Sequence, residues 1–231
     1  MRAGIHKKMK DMTQTHRGLV KELLSDTRPV SPIQSAWAQW GLWLTASVLL
    51  MGLALAVIKV NPALKSVLSQ MPSLTFVLLA FIGSALAAWE AIASSVPGRQ
   101  TGRGYQAIAL IVLLGLFVMP VFFFAPNNGS FNPIQTLCAG WGCFTAVSLV
   151  GLPPWILLAW MVSQNAAFKP AWTGAWTGAS AFLLGATTVQ LHCPNHQWGH
   201  VLMSHLLPVA LFTVLASWIG LYWFSRWNKK A

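Results

Sequence analysis

The chain has 231 residues, of which 55% are hydrophobic and only 8% are charged, and it contains 13 tryptophans. This composition excludes an ordinary soluble domain, and the long apolar runs lack the alternation of an outer-membrane β-barrel. The net charge of +11 comes from basic residues that flank apolar runs, which indicates an anionic membrane surface as the partner and not direct nucleic-acid binding. We therefore predict an all-α, polytopic protein of the lipid bilayer.

The first 35 residues are polar and lack the apolar core of a signal peptide, so we expect them to be retained. Apolar side chains recur there at helical spacing, which predicts a short amphipathic helix. Such a helix either lies on the membrane surface or docks a cytoplasmic partner. The apolar residues are Leu19, Val20, Leu23 and Leu24.

Six apolar runs follow, each close to the roughly 20 residues that a spanning helix needs. They cover residues 36–58, 74–93, 107–125, 137–162, 172–191 and 201–224. The predicted organisation is a cytoplasmic amino-terminal segment over 1–35, a bundle of six transmembrane helices over 36–225 and a basic tail over 226–231.

The basic residues predict the orientation of these spans. All 15 Lys and Arg residues except Lys59 and Lys65 fall on the side that holds both termini. Because Lys and Arg accumulate on the cytoplasmic side of membrane proteins, both termini are predicted to be cytoplasmic. The loops after the first, third and fifth spans are then expected to face outward.

Three features inside the spans predict local structure. Gly174, Gly178 and Gly185 lie along one side of the fifth span, and this small-residue seam predicts close packing against other helices. Pro208 lies inside the sixth span and predicts a kink there. Glu90 lies near the end of the second span, and we expect its carboxylate to face a partner, a cavity or the membrane interface rather than lipid, with the interface favoured by its position.

Soft side chains gather at the predicted outer face. Cys143 lies near the start of the fourth span, and Cys193 lies just past the end of the fifth. The chain between them crosses the membrane and returns to the same face, so the two sulfurs should lie close together. His192, His196 and His200 are candidate metal or auxiliary ligands. Cysteine and histidine suit Zn²⁺, Cu⁺ and similar ions. A disulfide or ordinary packing roles remain alternatives.

No motif indicates an enzyme. The sequence has no Walker loop, GxSxG elbow or HExxH helix, and its outer loops contain no carboxylate for acid–base chemistry. Two candidate functions are a membrane redox protein that binds haem or metal and a transporter subunit. A haem protein would use His192, His200 or His205 as axial ligands.

Four stretches together carry a family resemblance: SDTRPVSP (25–32), SSVPGR (94–99), CFTAVSLVGLPPWILLAW (143–160) and LHCP (191–194). They resemble the six-span anti-sigma factors of the NrsF type. The resemblance implies an inner-membrane protein that sequesters an extracytoplasmic-function sigma factor through its cytoplasmic amino-terminal segment. It also implies release of the sigma factor when outward-facing cysteines respond to metal or oxidant stress.

Carried over by position, the resemblance makes Cys143 and Cys193 the sensor pair, with a soft or borderline divalent metal as candidate inducer and no certain cofactor. The family continues after its Cys-Pro with acidic residues, whereas Asn195 and His196 follow here, which favours an imidazole-rich site. The candidate sigma-factor contacts are Leu19, Val20, Lys21, Leu23, Leu24, Arg28 and Pro29.

Overall fold

The computed structural model describes residues 34–62, 71–96, 98–99, 101–123, 132–165, 167–195 and 197–224. All regular structure within these residues is helical, which confirms the all-α prediction for them. The helices are α1 (Ala36–Ile58), α2 (Met71–Ser95), α3 (Arg103–Phe123), α4 (Pro133–Ala139), α5 (Trp141–Ser163), α6 (Pro170–Gln190) and α7 (Trp198–Trp223). The candidate sigma-factor contacts, His196 and the basic tail lie outside the described residues.

Five of the described helices are long and apolar enough to cross a membrane, namely α1, α2, α3, α5 and α7. Their bounds agree with five of the predicted runs to within about four residues. The fourth run is divided into two helices, because Gly140 separates the short α4 from α5.

The remaining predicted span, α6, is apolar only in part but is the most enclosed helix of the bundle. Every residue of α6 from Trp176 to Gln190 is buried, and α6 packs against α2, α5 and α7. A helix that is surrounded by other helices meets no lipid, so it needs small side chains for close approach more than it needs high hydropathy. The Gly, Ala, Ser and Thr residues of α6 fit that position.

Hydrogen bonds between helices define the two ends of the bundle. The hydroxyls of Ser94 and Thr173 lie 3.0 Å apart, which brings the end of α2 to the start of α6. The Asn61 N–H, just after α1, donates to the Leu191 carbonyl, just after α6, at 3.3 Å. We call the first region the amino-terminal end of the bundle, because α1 starts there, and the second the cysteine end.

The small-residue seam of α6 packs against two helices. A Cβ atom on Gly174 would lie 2.4 Å from the Ala216 carbonyl oxygen of α7, and one on Gly185 would lie 2.7 Å from the Val147 carbonyl oxygen of α5. Both distances are shorter than a side chain tolerates, so glycine is required for these contacts. The predicted close packing is confirmed.

Glu90 occupies a buried polar pocket near the amino-terminal end of the bundle. Its side chain is 0% exposed and accepts hydrogen bonds from Gln106 Nε2 at 2.8 Å and from the Thr101 hydroxyl. The favoured expectation, escape of the carboxylate to the membrane interface, is therefore wrong, and the alternative of a carboxylate that faces polar partners is confirmed. Donors from the α2–α3 connection and from α3 lie close to it, and buried polar groups are tolerated when they are hydrogen-bonded.

The last helix changes its winding near Pro208. After its first turn, α7 is π-helical over Val201–Leu206, and the Leu207 N–H donates to the Leu202 carbonyl five residues earlier. Proline has no N–H, so Pro208 cannot complete an α-helical bond to the Ser204 carbonyl. The disturbance expected at Pro208 thus takes the form of a widened turn just before it.

Candidate metal and thiol site

Two cysteines meet at the cysteine end of the bundle. Cys143 lies in the first turn of α5 and Cys193 follows α6 in the connection to α7. Their sulfur atoms are 3.6 Å apart, which confirms that the chain between them returns to the same depth. A role of the pair in sensing remains a prediction.

Two histidines of α7 complete a cluster around these sulfurs. His200 Nε2 lies 3.2 Å from Cys193 Sγ, and the rings of His200 and His205 are 5.3 Å apart between centroids. One potential ligand atom from each of Cys143, Cys193, His200 and His205 lies within 4.8 Å of the other three. We call these four residues the Cys–His cluster.

His205 joins the cluster only because of the π-helical turn. Residues five apart on an α-helix point about 140° away from each other. The sequence therefore predicts His192, His196 and His200 as auxiliary ligands and His205 only as a candidate haem ligand. In a π-helix the hydrogen bonds span five residues, and the fifth residue returns to nearly the same face. Pro208, three residues after His205, was the available signal.

The other candidate ligands lie elsewhere. His192 Nδ1 is 2.7 Å from the Lys59 carbonyl oxygen, so its ring binds the connection after α1 and does not belong to the cluster. His196 lies outside the described residues. Cys138 is exposed on α4 and does not belong to the cluster.

The cluster is closely packed and largely shielded from solvent. Cys193 is 1% exposed and His200 6%, whereas Cys143 is only partly buried and forms the open side of the cluster. A Cβ atom on Gly140 would lie 1.8 Å from Ser204 Oγ and 3.1 Å from His200 Cε1, so the start of α5 touches α7. The contact with the Cys143 sulfur, and then burial, raise the pKa of the Cys193 thiol.

This geometry permits two kinds of chemistry. Two sulfurs and two imidazoles form a ligand set that suits Zn²⁺ and related soft or borderline ions. Alternatively, the two thiols are near enough to form a disulfide after a small approach, since a disulfide needs sulfurs about 2.05 Å apart. Both reactions would bind the start of α5 to the chain that follows α6.

The haem alternative does not fit the described histidines. Axial ligands of one haem approach the iron from opposite faces of the macrocycle, and such ligands would have to come from separate helices. His200 and His205 lie on the same helix, with their rings in edge contact, while His192 faces away toward Lys59. Within the part of the chain that the structure describes, no histidine pair has the required placement.

Comparison with protein-family models matches residues 23–227 to NrsF, described as a negative regulator of sigma F. The match covers far more than half of the chain. The chain belongs to the NrsF family. Searches of curated proteins and of solved structures returned no match. As an NrsF-family member, the protein is a negative regulator with a sigma factor as its partner, and this family description is that of a regulator and not of an enzyme.

Proposed function

We propose that this NrsF-family protein is an inner-membrane anti-sigma factor that sequesters an extracytoplasmic-function sigma factor and releases it on metal or oxidant stress. The observation that carries the proposal is the approach of Cys143 and Cys193 to 3.6 Å at one end of the bundle. This approach brings together two thiols that a metal ion can ligate or that an oxidant can convert to a disulfide. The proposed activity is regulatory and needs no catalytic residue.

The proposed topology has six spans with both termini in the cytoplasm. Helix α6 supports the sixth span, because its 21 residues are long enough to cross the roughly 30 Å hydrocarbon core. The charges of the described residues support the orientation: Arg99, Arg103 and Lys169 lie at the amino-terminal end of the bundle, and Lys59 lies at the cysteine end. By the positive-inside rule the cysteine end then faces outward.

The sigma factor is proposed to bind the amino-terminal segment. The amphipathic stripe of Leu19, Val20, Leu23 and Leu24 offers an apolar face for a helix-in-groove contact. Lys21 lies within the same stretch of sequence, and Arg28 and Pro29 follow it. The family match begins at residue 23, so it includes Leu23, Leu24, Arg28 and Pro29. This segment precedes α1 in the sequence, and in the proposed topology it is cytoplasmic.

A physical connection between the two ends supports signal transfer. Helix α6 is packed along its length, and Gly185 meets α5 near Val147 at the cysteine end. At the amino-terminal end, Asn165 in the connection between α5 and α6 donates to Ser95 Oγ at 2.8 Å and to Gln39 Oε1 at 3.4 Å. A change in packing at the cysteines can therefore alter contacts beside the start of α1. The ligand must favour one of two packing states to act in this way.

Co-purification tests the sequestration step. The full-length protein, expressed with its sigma factor and extracted in mild detergent, is expected to retain the sigma factor. Deletion of residues 1–30 should abolish retention, while deletion of residues 226–231 should leave it unchanged. Retention of the sigma factor by the protein without residues 1–30 would contradict the proposed binding segment.

A further inference from the structure

The two histidines of the Cys–His cluster are not needed for the proposed thiol sensor, yet they lie against its sulfurs. We propose that Cys143, Cys193, His200 and His205 form one four-coordinate site for a divalent ion with the preferences of Zn²⁺, held in place by the π-helical turn of α7. This inference deepens the proposed function, on which its signalling part rests, because it names the ligand set and the class of inducer.

The distances between ligand atoms resemble the edges of a metal tetrahedron. Zinc with sulfur and nitrogen ligands places two sulfurs about 3.8 Å apart and a sulfur and a nitrogen about 3.6 Å apart. The corresponding separations here are 3.6 Å for Cys143 Sγ to Cys193 Sγ and 3.2 Å for Cys193 Sγ to His200 Nε2. All four ligand atoms lie within 4.8 Å of one another, so small side-chain adjustments complete the tetrahedron.

The charge balance of such a site suits its burial. On binding, the ion displaces the thiol protons of Cys143 and Cys193 to solvent, while neutral imidazoles donate nitrogen lone pairs. Two thiolates and one divalent ion then sum to zero charge. A monovalent ion would leave one negative charge among side chains that include His205 at 0% and Cys193 at 1% exposure, which is costly in an apolar environment. The site therefore favours a divalent ion.

The helix geometry links metal binding to the register of α7. His200 and His205 share a face only while Val201–Leu206 is π-helical. If that turn became α-helical, each residue would advance by about 100° and His205 would leave the site. The segment Leu207–Trp223 would rotate with it, and this rotation would disrupt the contact of Ala216 with Gly174. Binding through both histidines thus stabilises one register of α7 over the other.

Cobalt is a suitable spectroscopic probe for this site. Reduced full-length protein in lipid nanodiscs is titrated with Co²⁺, and we expect one equivalent to bind. The bound ion should show the intense visible bands of tetrahedral Co²⁺ and a sulfur-to-metal charge-transfer band. Addition of Zn²⁺ should displace the Co²⁺ and remove these bands. His200→Ala and His205→Ala should each weaken binding by at least about tenfold, because the loss of even an outer-sphere partner costs about 10–100-fold. Equal affinity and spectrum in these variants would overturn the proposal.

Two controls match these variants. His192→Ala removes an imidazole that contacts Lys59, and Cys138→Ser removes the exposed thiol of α4. Both should bind Co²⁺ like the unmodified protein. A decrease as large as that of His205→Ala would place the ion elsewhere and contradict the four-residue site.

A ligand exchange covers the case in which His205→Ala does not fold. His205→Cys should still bind Co²⁺ in tetrahedral geometry, with stronger sulfur-to-metal absorption from a third thiolate. A spectrum identical to that of the unmodified protein would show that residue 205 is not a ligand and would overturn the proposal.

A reporter gene driven by the sigma factor separates this inference from the proposed function. If metal induction is lost in Cys143→Ser, Cys193→Ser but kept in His200→Ala and His205→Ala, the thiol sensor stands and the four-ligand site is refuted. If Co²⁺ binds as expected but all variants induce like the unmodified protein, the site stands and the sensor function is refuted. Loss of both binding and induction in the cysteine and histidine variants is the expected outcome.

Discussion

Gly140 shows how one missing side chain positions the Cys–His cluster. It stands between α4 and α5, and its Cα faces Ser204 and His200 of α7 so closely that a Cβ atom would lie 1.8 Å from Ser204 Oγ. Any larger residue must push the π-helical turn away from the start of α5. Cys143 lies three residues later, so the same displacement separates Cys143 from His200.

Gly140→Ala is therefore expected to disturb the cluster although Gly140 is not a ligand. Overpacking at this contact should lower the free energy of unfolding by about 1–3 kcal/mol and should weaken Co²⁺ binding. Thermal unfolding in detergent and Co²⁺ titration measure the two effects. The matched control is Gly142→Ala, because a Cβ atom there meets nothing within 4 Å; equal behaviour of the two variants would count against the contact.

Helix α6 organises the bundle through its small residues. Its buried surface contacts α2, α5 and α7, and Ser84 of α2 and Ser180 of α6 exchange hydrogen bonds, each hydroxyl donating to the other residue's carbonyl at 2.7–2.8 Å. These two buried hydroxyls are thus paired, as a low-dielectric environment favours. The close approach of α6 to α7 makes the position of α7 sensitive to any change along the seam.

Gly178→Ala tests that sensitivity. A Cβ atom on Gly178 would lie 2.7 Å from the Cβ of Ala216 and 2.9 Å from the Phe212 carbonyl oxygen, so the two helices must separate. We expect a loss of about 1–3 kcal/mol in stability, read as a lower unfolding temperature in detergent. Gly52→Ala on α1 has nothing within 4 Å of its Cβ and should be neutral; an equally neutral Gly178→Ala would refute the tight seam.

Hydropathy predicted the helices better than it predicted the site. The lengths of the apolar segments determine both the spans and the return of the chain between Cys143 and Cys193, so both could be predicted from the sequence. The role of His205 could not, because it depends on a helical winding that no simple period describes. The identity of the partner of Glu90 could not be predicted either, since its donor Gln106 comes from a neighbouring helix and only the tertiary structure brings the two together.

The orientation of the whole protein determines which compartment the proposed sensor would face. In the proposed topology the Cys–His cluster faces outward and the amino-terminal segment faces the cytoplasm, so inducer and sigma factor never share a compartment. The bundle must carry the signal, and the hydrogen bonds of Asn165 to Gln39 and Ser95 lie where that signal would reach the start of α1.

Thiol labelling in intact cells tests this orientation. In a Cys143→Ser, Cys193→Ser background, the exposed Cys138 should react with a maleimide that cannot cross the inner membrane. When Cys138→Ser is added and Gly102→Cys introduces a thiol at the amino-terminal end, labelling should require disruption of the membrane. Gly102 is exposed and has open space around its Cα, so the substitution should be tolerated. The reverse labelling pattern would contradict the topology.

The most direct test of the sensor is a sigma-dependent reporter in cells that carry either the unmodified protein or Cys143→Ser, Cys193→Ser at equal membrane abundance. The unmodified protein should allow induction on exposure to Zn²⁺ or Cd²⁺ or to a thiol oxidant. The double variant should keep the reporter repressed with and without the inducer, because its sigma-binding segment is intact while its ligands are lost. Unchanged induction in the double variant would contradict the account.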